Sequence, residues 1–400
     1  MDKIKALVLF TVFIDILGLG VVIPVLPFYV QQFSSSPLAV TALIAVYAFC
    51  SFLSAPLIGA LSDRYGRRPA LIGSIVSTSV GWLIFAAGRS LPLLYLGRII
   101  DGLAAGNLPV AQAAITDTAK DDKERSQALG YVGAIFGIGF ILGPALGGLL
   151  GHIAPAMPFW FVGTLSAINA ILAFFFLPET RKVTVENQQR KISLNPFAPI
   201  MRAVRDVSLR PNYIAWGMFG LAVATTQSVY ALYLNKIFGW EEYAVGFLFM
   251  ATGVVLALNQ AVVMRRFWLK YFGEPQLELW TTLVFAFGYS LIAFRSLPLF
   301  FVAVVITTFG QSILRVVMNS QMLGKSDASR RGEVMGISSA VVSLSAAIAP
   351  IAAGWLFVAN PVYPFLVAAI FLVIGFFVLL SVKKNLPQEL DASQPLVSEI

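Results

Sequence analysis

Apolar residues run along this chain in stretches too long for the core elements of a water-soluble domain. Windows of roughly 20 residues with almost no charge recur at approximate limits 6–30, 38–61, 69–88, 91–114, 127–150, 157–178, 212–235, 243–264, 277–294, 297–320, 333–357 and 361–382. Each can cross a hydrocarbon layer about 30 Å thick at about 1.5 Å per residue. Hydrocarbon offers the backbone no hydrogen-bond partners, and the runs lack strand-type alternation, so they must satisfy their own amides as helices. The pattern predicts an all-α integral membrane protein with twelve transmembrane helices. Composition agrees, with 58% of residues hydrophobic and only 12% charged.

The polar punctuation divides the spans six and six. Residues 1–178 are predicted to form an N-terminal six-helix half, 179–211 a cytoplasmic linker, 212–382 a C-terminal six-helix half and 383–400 a cytoplasmic tail. An internal repeat supports two pseudo-symmetric halves: Arg125-Ser-Gln-Ala-Leu-Gly130 stands 206 residues before Arg331-Gly-Glu-Val-Met-Gly336, and at that offset Pro144 meets Pro350 and Gly148 meets Gly354. Duplicated halves with a binding site between them are a common construction of secondary transporters.

Basic residues set the expected orientation. Of 28 Lys and Arg, 23 fall on the side shared by both termini, three (Arg89, Lys236, Arg295) on the other, and Arg98 and Arg315 within spans. This bias predicts cytoplasmic termini in a multi-pass protein of the cell's inner (plasma) membrane. It also accounts for the net charge of +8 without a nucleic-acid partner. Lys3 and Lys5 before the first run imitate a signal peptide, but Asp15 interrupts it and no small-residue cleavage site follows, so the segment is expected to stay as a span. Cys50 is expected to be a packing residue, and His152 lies at an outer loop. No metal site is predicted, and no phosphate-cradling loop suggests an ATP-driven pump.

Ionisable residues inside the runs carry the candidate chemistry. Asp15 lies near the middle of the first run, and Arg98 and Asp101 lie within the fourth. An aspartate at a helix centre costs about 3 kcal/mol on insertion scales, which marks it as functional or partnered. Arg98 and Asp101 are three residues apart, hence on one helix face and able to pair. Desolvation favours protonation of a buried carboxylate and a neighbouring cation opposes it, so the pair is either a proton switch or a permanent structural ion pair. Asp15 is either a proton-coupling group or an acid bonded to backbone or to a hydroxyl such as Ser343. The second half has Val304 and Thr307 where the first has Arg98 and Asp101, and Thr225, Thr226 and Gln227 are the polar groups of its first span. Arg315, near the end of its run, is expected to snorkel. Asn107, Gln112, Gln227, Tyr230 and Gln311 are candidates for a substrate cavity.

Three motifs carry a family resemblance. Gly59-Ala-Leu-Ser-Asp63-Arg64-Tyr-Gly66-Arg67-Arg68 between the second and third spans resembles the loop signature of the major facilitator superfamily. Gly130, Gly139, Gly143-Pro144 and Gly147-Gly148 in the fifth span resemble that superfamily's antiporter signature, and Leu96-Gly97-Arg98 with Asp101-Gly102 is similar to its buried-arginine motif. Phe13-Ile-Asp15 through Gly18, Gly20, Pro24 and Pro27 is similar to the first span of tetracycline-type drug:proton antiporters. The resemblance implies the major facilitator fold and a conformational latch made by Gly59, Asp63, Arg64, Gly66, Arg67 and Arg68 with Asp117 and the start of span eleven. It implies proton coupling by Asp15, Asp101 and Arg98. One departure limits it: the ninth span's only acid, Glu278, lies at its edge, whereas the tetracycline pumps carry one deep in that span.

The expected function is therefore proton-coupled export of a hydrophobic or amphipathic, drug-like or tetracycline-like small molecule by alternating access. A proton-linked importer of a nutrient or metabolite is the alternative on the same fold. A membrane enzyme would need a nucleophile, metal set or paired carboxylates at one membrane face, and none is visible. No cofactor is expected, the proton gradient being the energy source. The expected partners are the substrate, protons and the lipid bilayer, and the chain is expected to act as a monomer.

Overall fold

The computed structural model describes residues 3–119, 121–181, 195–327 and 330–384, and every regular element among them is helical. The predicted linker and tail lie partly outside these residues, at 182–194 and 385–400. In chain order the helices are α1 (Lys3–Gln31), α2 (Pro37–Tyr65), α3 (Arg67–Ala87), α4 (Leu91–Leu103), α5 (Asn107–Asp117), α6 (Asp122–Ile153) and α7 (Met157–Phe176). They continue with α8 (Ala198–Arg205), α9 (Arg210–Phe238), α10 (Glu242–Leu258), α11 (Glu274–Leu291), α12 (Leu297–Gly324), α13 (Arg331–Ala359) and α14 (Tyr363–Lys384). Ten of the described helices are long and apolar enough to cross a membrane. The other two predicted runs correspond to the α4–α5 pair and to α9, which carries Asn212, Thr225, Thr226, Gln227 and Asn235 along its 29 residues.

Two runs differ from the uninterrupted helices that hydropathy predicts. The run expected over 91–114 breaks between Leu103 and Asn107, where the Gly106 amide turns back onto the Ala104 carbonyl at 2.7 Å. Steric crowding shapes this break. A side chain at Gly106 would overlap Ile58, and one at Gly102 would lie 2.7 Å from the Cys50 β-carbon. The Gly102 carbonyl is met by the Ser54 hydroxyl at 2.9 Å, so the interrupted backbone keeps a partner inside the bundle. The other difference is in α10, which widens into a π-helix over Asn259–Trp268 and then runs on through Leu269–Tyr271. Asn259 closes that segment by donating to Ser312 and accepting from the Trp268 indole, both at 2.9 Å.

Small residues decide which helices approach. α6 lies along α1: a side chain at Gly139 would press on Ile16 at 2.8 Å, one at Gly143 on the Gly20 α-carbon at 2.7 Å, and one at Gly147 would overlap the Val21 carbonyl. Pro144 lies within α6 without ending it. Gly148 points away from α1 to α10, where a side chain would come 3.2 Å from the Gly246 α-carbon. α2 packs on α13 in the same manner, with Gly354 against Thr41 and Leu38. These contacts lie toward the face opposite the one that carries most of the Lys and Arg. Toward the basic face, side chains at Gly59, Gly130, Gly133, Gly137, Gly332 and Gly336 would meet nothing within 4 Å. Glycine contacts thus join α6 to α10 and α2 to α13 toward one face, while the glycines toward the other open onto empty space, and there α8 and the residue before it reach α13 and α2. Phe197 stacks edge-on against Phe52 at 5.3 Å, and Arg202 donates to Glu333 at 3.3 Å.

This packing ranks the glycines. Gly143→Ala and Gly147→Ala push a methyl into α1 backbone and should each destabilise the protein by about 1–3 kcal/mol, whereas Gly130→Ala should leave stability unchanged. Thermal unfolding of the purified variants in detergent measures the difference.

Candidate functional site

The ionisable residues of the first and fourth runs converge. Glycines allow it: a side chain at Gly81 of α3 would lie 2.7 Å from the Gly97 carbonyl of α4 and 2.8 Å from the Asp101 β-carbon. That bare crossing brings Asp101 onto α3. Asp15 of α1 and Asp101 line one narrow void, with Ile14, Gly18, Leu19, Tyr47, Thr78, Trp82, Val162 and Ser166 around them. The void has room for about one water molecule. Its walls come from α1, α2, α3, α4 and α7, so the site lies within the first six predicted spans rather than between the halves.

The two acids have different partners. The Arg98 guanidinium donates from Nη1 to Asp101 Oδ2 at 3.1 Å, and both side chains are buried, at 5% and 6% exposure. Arg98 also lies over two ring faces, 4.0 Å from the centroid of Tyr47 and 4.7 Å from that of Trp82. Cation–π attraction contributes about 2 kcal/mol or more per ring when water is excluded. Arg98 Nε is buried with no hydrogen-bond partner. Asp15, half-buried, accepts at Oδ1 from the side-chain amide of Asn107 at 2.9 Å, and the same amide reaches the Thr78 hydroxyl at 3.2 Å. Asn107 is the first residue of α5, so the break in the fourth run sets Asp15 beside a fresh helix N-terminus, where the backbone dipole favours a carboxylate. The Asn107 side-chain oxygen is buried without a partner.

The loop-signature residues form a second cluster at the basic face. Asp63 accepts from Arg67 at 2.8 Å and also from Arg181, while Arg67 Nε donates to Asp117 at 2.8 Å. Gly66 has φ +107°, a conformation L side chains rarely adopt, and a side chain there would overlap Glu179. The Glu179 carboxylate accepts from the backbone amides of Arg67 at 2.8 Å and Arg68 at 3.1 Å, capping the start of α3. Arg68 donates to the Phe174 carbonyl at 2.6 Å, and Arg64 is exposed beside Tyr65. The start of α13, implied as the latch partner, is engaged elsewhere: Glu333 accepts from Arg202 and Arg330, and Arg330 also donates to Asp206 at 2.8 Å.

The substrate-cavity candidates are not gathered together. Asn107 is committed to Asp15 and Thr78. Gln112 and Gln311 are half-buried and Gln227 is exposed, on three different helices, with no hydrogen bond among them in the described residues. Tyr230 packs against Phe249, Phe300 and Phe365, with centroids at 5.7, 6.0 and 6.0 Å. Arg315, expected to snorkel, is exposed and lies 6.0 Å from the centre of the Phe136 ring on α6. Tyr47, Thr78, Trp82 and Glu179 were not singled out from sequence. The need of a buried arginine for more than one carboxylate is the signal that would have pointed to aromatic faces.

Ten membrane-length helices and a broken predicted span that carries an arginine and an acid beside Asp15 define an integral membrane protein with ionisable groups inside its bundle. The chain matches the profile of the Major Facilitator Superfamily over residues 8–272 and 261–397, and it belongs to that superfamily. It is 30% identical over 354 residues to the tetracycline resistance protein, class C, of Escherichia coli, covering 86% of this chain and 87% of the relative. It is 28% identical over 391 residues to multidrug resistance protein 1 of Bacillus subtilis (strain 168), covering 97% of each. The crystal structure of the nucleoside transporter NupG superposes with TM-score 0.75 at 13% identity, over 96% of this chain and 99% of that one, which shows the shared fold. The protein is a multi-pass membrane transporter and not an enzyme.

The ion pair makes a directional prediction. Arg98→Ala leaves Asp101 buried without its cation and should lower stability by about 3–5 kcal/mol, while adding Asp101→Asn should recover part of the loss. Unfolding midpoints of the single and double variants in detergent measure the recovery.

Proposed function

We propose that the protein exports a hydrophobic or amphipathic small molecule in exchange for protons, using the Asp15–Asn107 and Arg98–Asp101 groups as its coupling site. The observation that carries this reading is that both membrane-depth acids face one small void, each with a different partner. A carboxylate beside a neutral amide and one beside a cation differ in their hold on a proton, and a single water can join them. No cofactor takes part; the proton gradient supplies the energy. The names of the relatives, which concern tetracycline and multidrug resistance, support a drug-like substrate.

On this reading the chain is a monomer of twelve spans in two six-helix halves, with both termini and the basic face in the cytoplasm of an inner (plasma) membrane. Open space beside the glycines nearest the basic face supports a cytoplasm-open state, and on this reading the halves rock about a substrate site between them. Asp63, Arg67 and Asp117 then await the start of α13, which the linker holds in this state and releases on closure.

Everted vesicles energised by respiration, with a pH-sensitive dye, test the exchange. Tetracycline, a quinolone or a lipophilic cation should evoke proton release, and Asp15→Asn or Asp101→Asn should each reduce it at least about tenfold, the scale on which essential proton carriers act. Undiminished release in both variants, or accumulation of a nutrient together with protons, would overturn the proposal.

A further inference from the structure

We propose that Tyr47 and Trp82 act as an aromatic clamp on Arg98, holding it cationic and in place whether Asp101 is charged or neutral, so that within this ion pair only Asp101 changes charge during exchange. The inference rests on reading Asp101 as an exchange group. Among the described residues Arg98 has a single carboxylate contact, from one guanidinium nitrogen, and its Nε has no hydrogen-bond partner. An arginine so held would be stranded each time the carboxylate took a proton, because a buried cation without compensation is strongly disfavoured. Such a cost would fix the pair in its charged form. A structural bridge would result, not a switch.

The ring faces change this balance because their attraction does not depend on any proton. They reach Arg98 from two other helices, Tyr47 from α2 and Trp82 from α3, at centroid distances of 4.0 and 4.7 Å. Both distances are inside the range of about 6 Å over which a ring quadrupole attracts a guanidinium. Trp82 is itself fixed: it is 4% exposed, stacks on Phe159 at 5.9 Å with planes 15° apart, and meets the edge of Phe85 at 5.5 Å. The charged or titratable groups that face Arg98 are Asp101 on its own helix and Tyr47 on α2, with Asp15 of α1 across the void. Tyr47 and Trp82 both line that void beside Asp101, so the clamp lies between the cation and the place where a proton would arrive. Both are positioning residues: they act through Arg98.

The test uses the full chain with Tyr47→Phe, Tyr47→Leu, Trp82→Phe and Trp82→Leu, each alone and with Asp101→Asn. Phenylalanine keeps a ring face and leucine keeps only apolar volume. The Phe variants should retain compound-evoked proton release in everted vesicles within about twofold, and the Leu variants should lose about tenfold or more, while exchange of compound for compound stays within about threefold. Thermal unfolding in detergent gives an independent cycle: each Leu substitution should lower the midpoint further in the Asp101→Asn background than in the wild type, because the rings are then the only holders of the cation. Leu variants that release protons as the Phe variants do, or losses of stability that simply add, would overturn the clamp. Failure of the underlying reading is separable, since it shows as undiminished proton release in Asp101→Asn alone, whatever the unfolding cycle gives.

Discussion

A guanidinium held inside a helical bundle at membrane depth must find every compensation within the protein, and Arg98 is the residue on which this constraint falls hardest. Its partners account for much of the local architecture. Asp101 must lie one turn away on the same helix, Tyr47 and Trp82 must bring ring faces from α2 and α3, and α3 and α4 must cross at Gly81 and Gly97 for those faces to reach it. A methyl group at either glycine would meet the other helix's backbone. The ion and the bare crossing are thus one requirement seen from two sides.

The break in the fourth run follows from similar reasoning about backbone groups. Interrupting a helix in hydrocarbon leaves amides and carbonyls without partners, and it persists only where protein groups replace them. Here Ser54 meets the Gly102 carbonyl, and Asn107, the first residue after the gap, turns its amide to Asp15. The break also separates Arg98 and Asp101, on α4, from Asn107, on α5. Each acid is therefore tied to a different segment, Asp101 to α4 and Asp15 to the start of α5.

Much of the fold was legible in the chain because hydrocarbon imposes such simple rules. Apolar run length gave the helices, and the three-residue spacing of Arg98 and Asp101 gave their pairing. The glycine spacing in α6 marked a bare face. What it faced was not legible: Gly139, Gly143 and Gly147 lie against α1, whereas Gly148 lies against Gly246 of α10. Hydropathy averages over about 20 residues and so passes over a three-residue break. The partner of Asp15 escaped for the same reason, since Asn107 reaches it only because the helix restarts there, and a hydroxyl such as Ser343 looked as suitable in sequence. Tyr47 and Trp82 escaped because an aromatic in a span is ordinary, and only its position over a cation sets it apart. Glu179 resembled the first residue of a linker; its carboxylate caps α3.

The internal sequence repeat sets equivalent positions of the two stretches side by side. Where the first half carries Arg98 and Asp101, the second has Val304 and Thr307, both buried, and the Thr307 hydroxyl bonds the Val304 carbonyl of its own helix at 3.2 Å. At other buried positions of residues 212–382 the bonds are neutral, from the Thr226 hydroxyl to Tyr289 at 2.9 Å and from Tyr233 to the Ile292 carbonyl at 2.9 Å, while Glu278 is a buried acid nearer the basic face. Neutral bonds of this kind do not change with a proton. The ion pair of Arg98 and Asp101 thus has no counterpart at the repeat-related positions 304 and 307. Glycine contacts join the two stretches, Gly148 to Gly246 and Gly354 to Thr41, and all lie away from the basic face. On the exchange proposed above, rearrangement around Arg98 and Asp101 is read out as a change of angle about those contacts, the motion that alternating access requires.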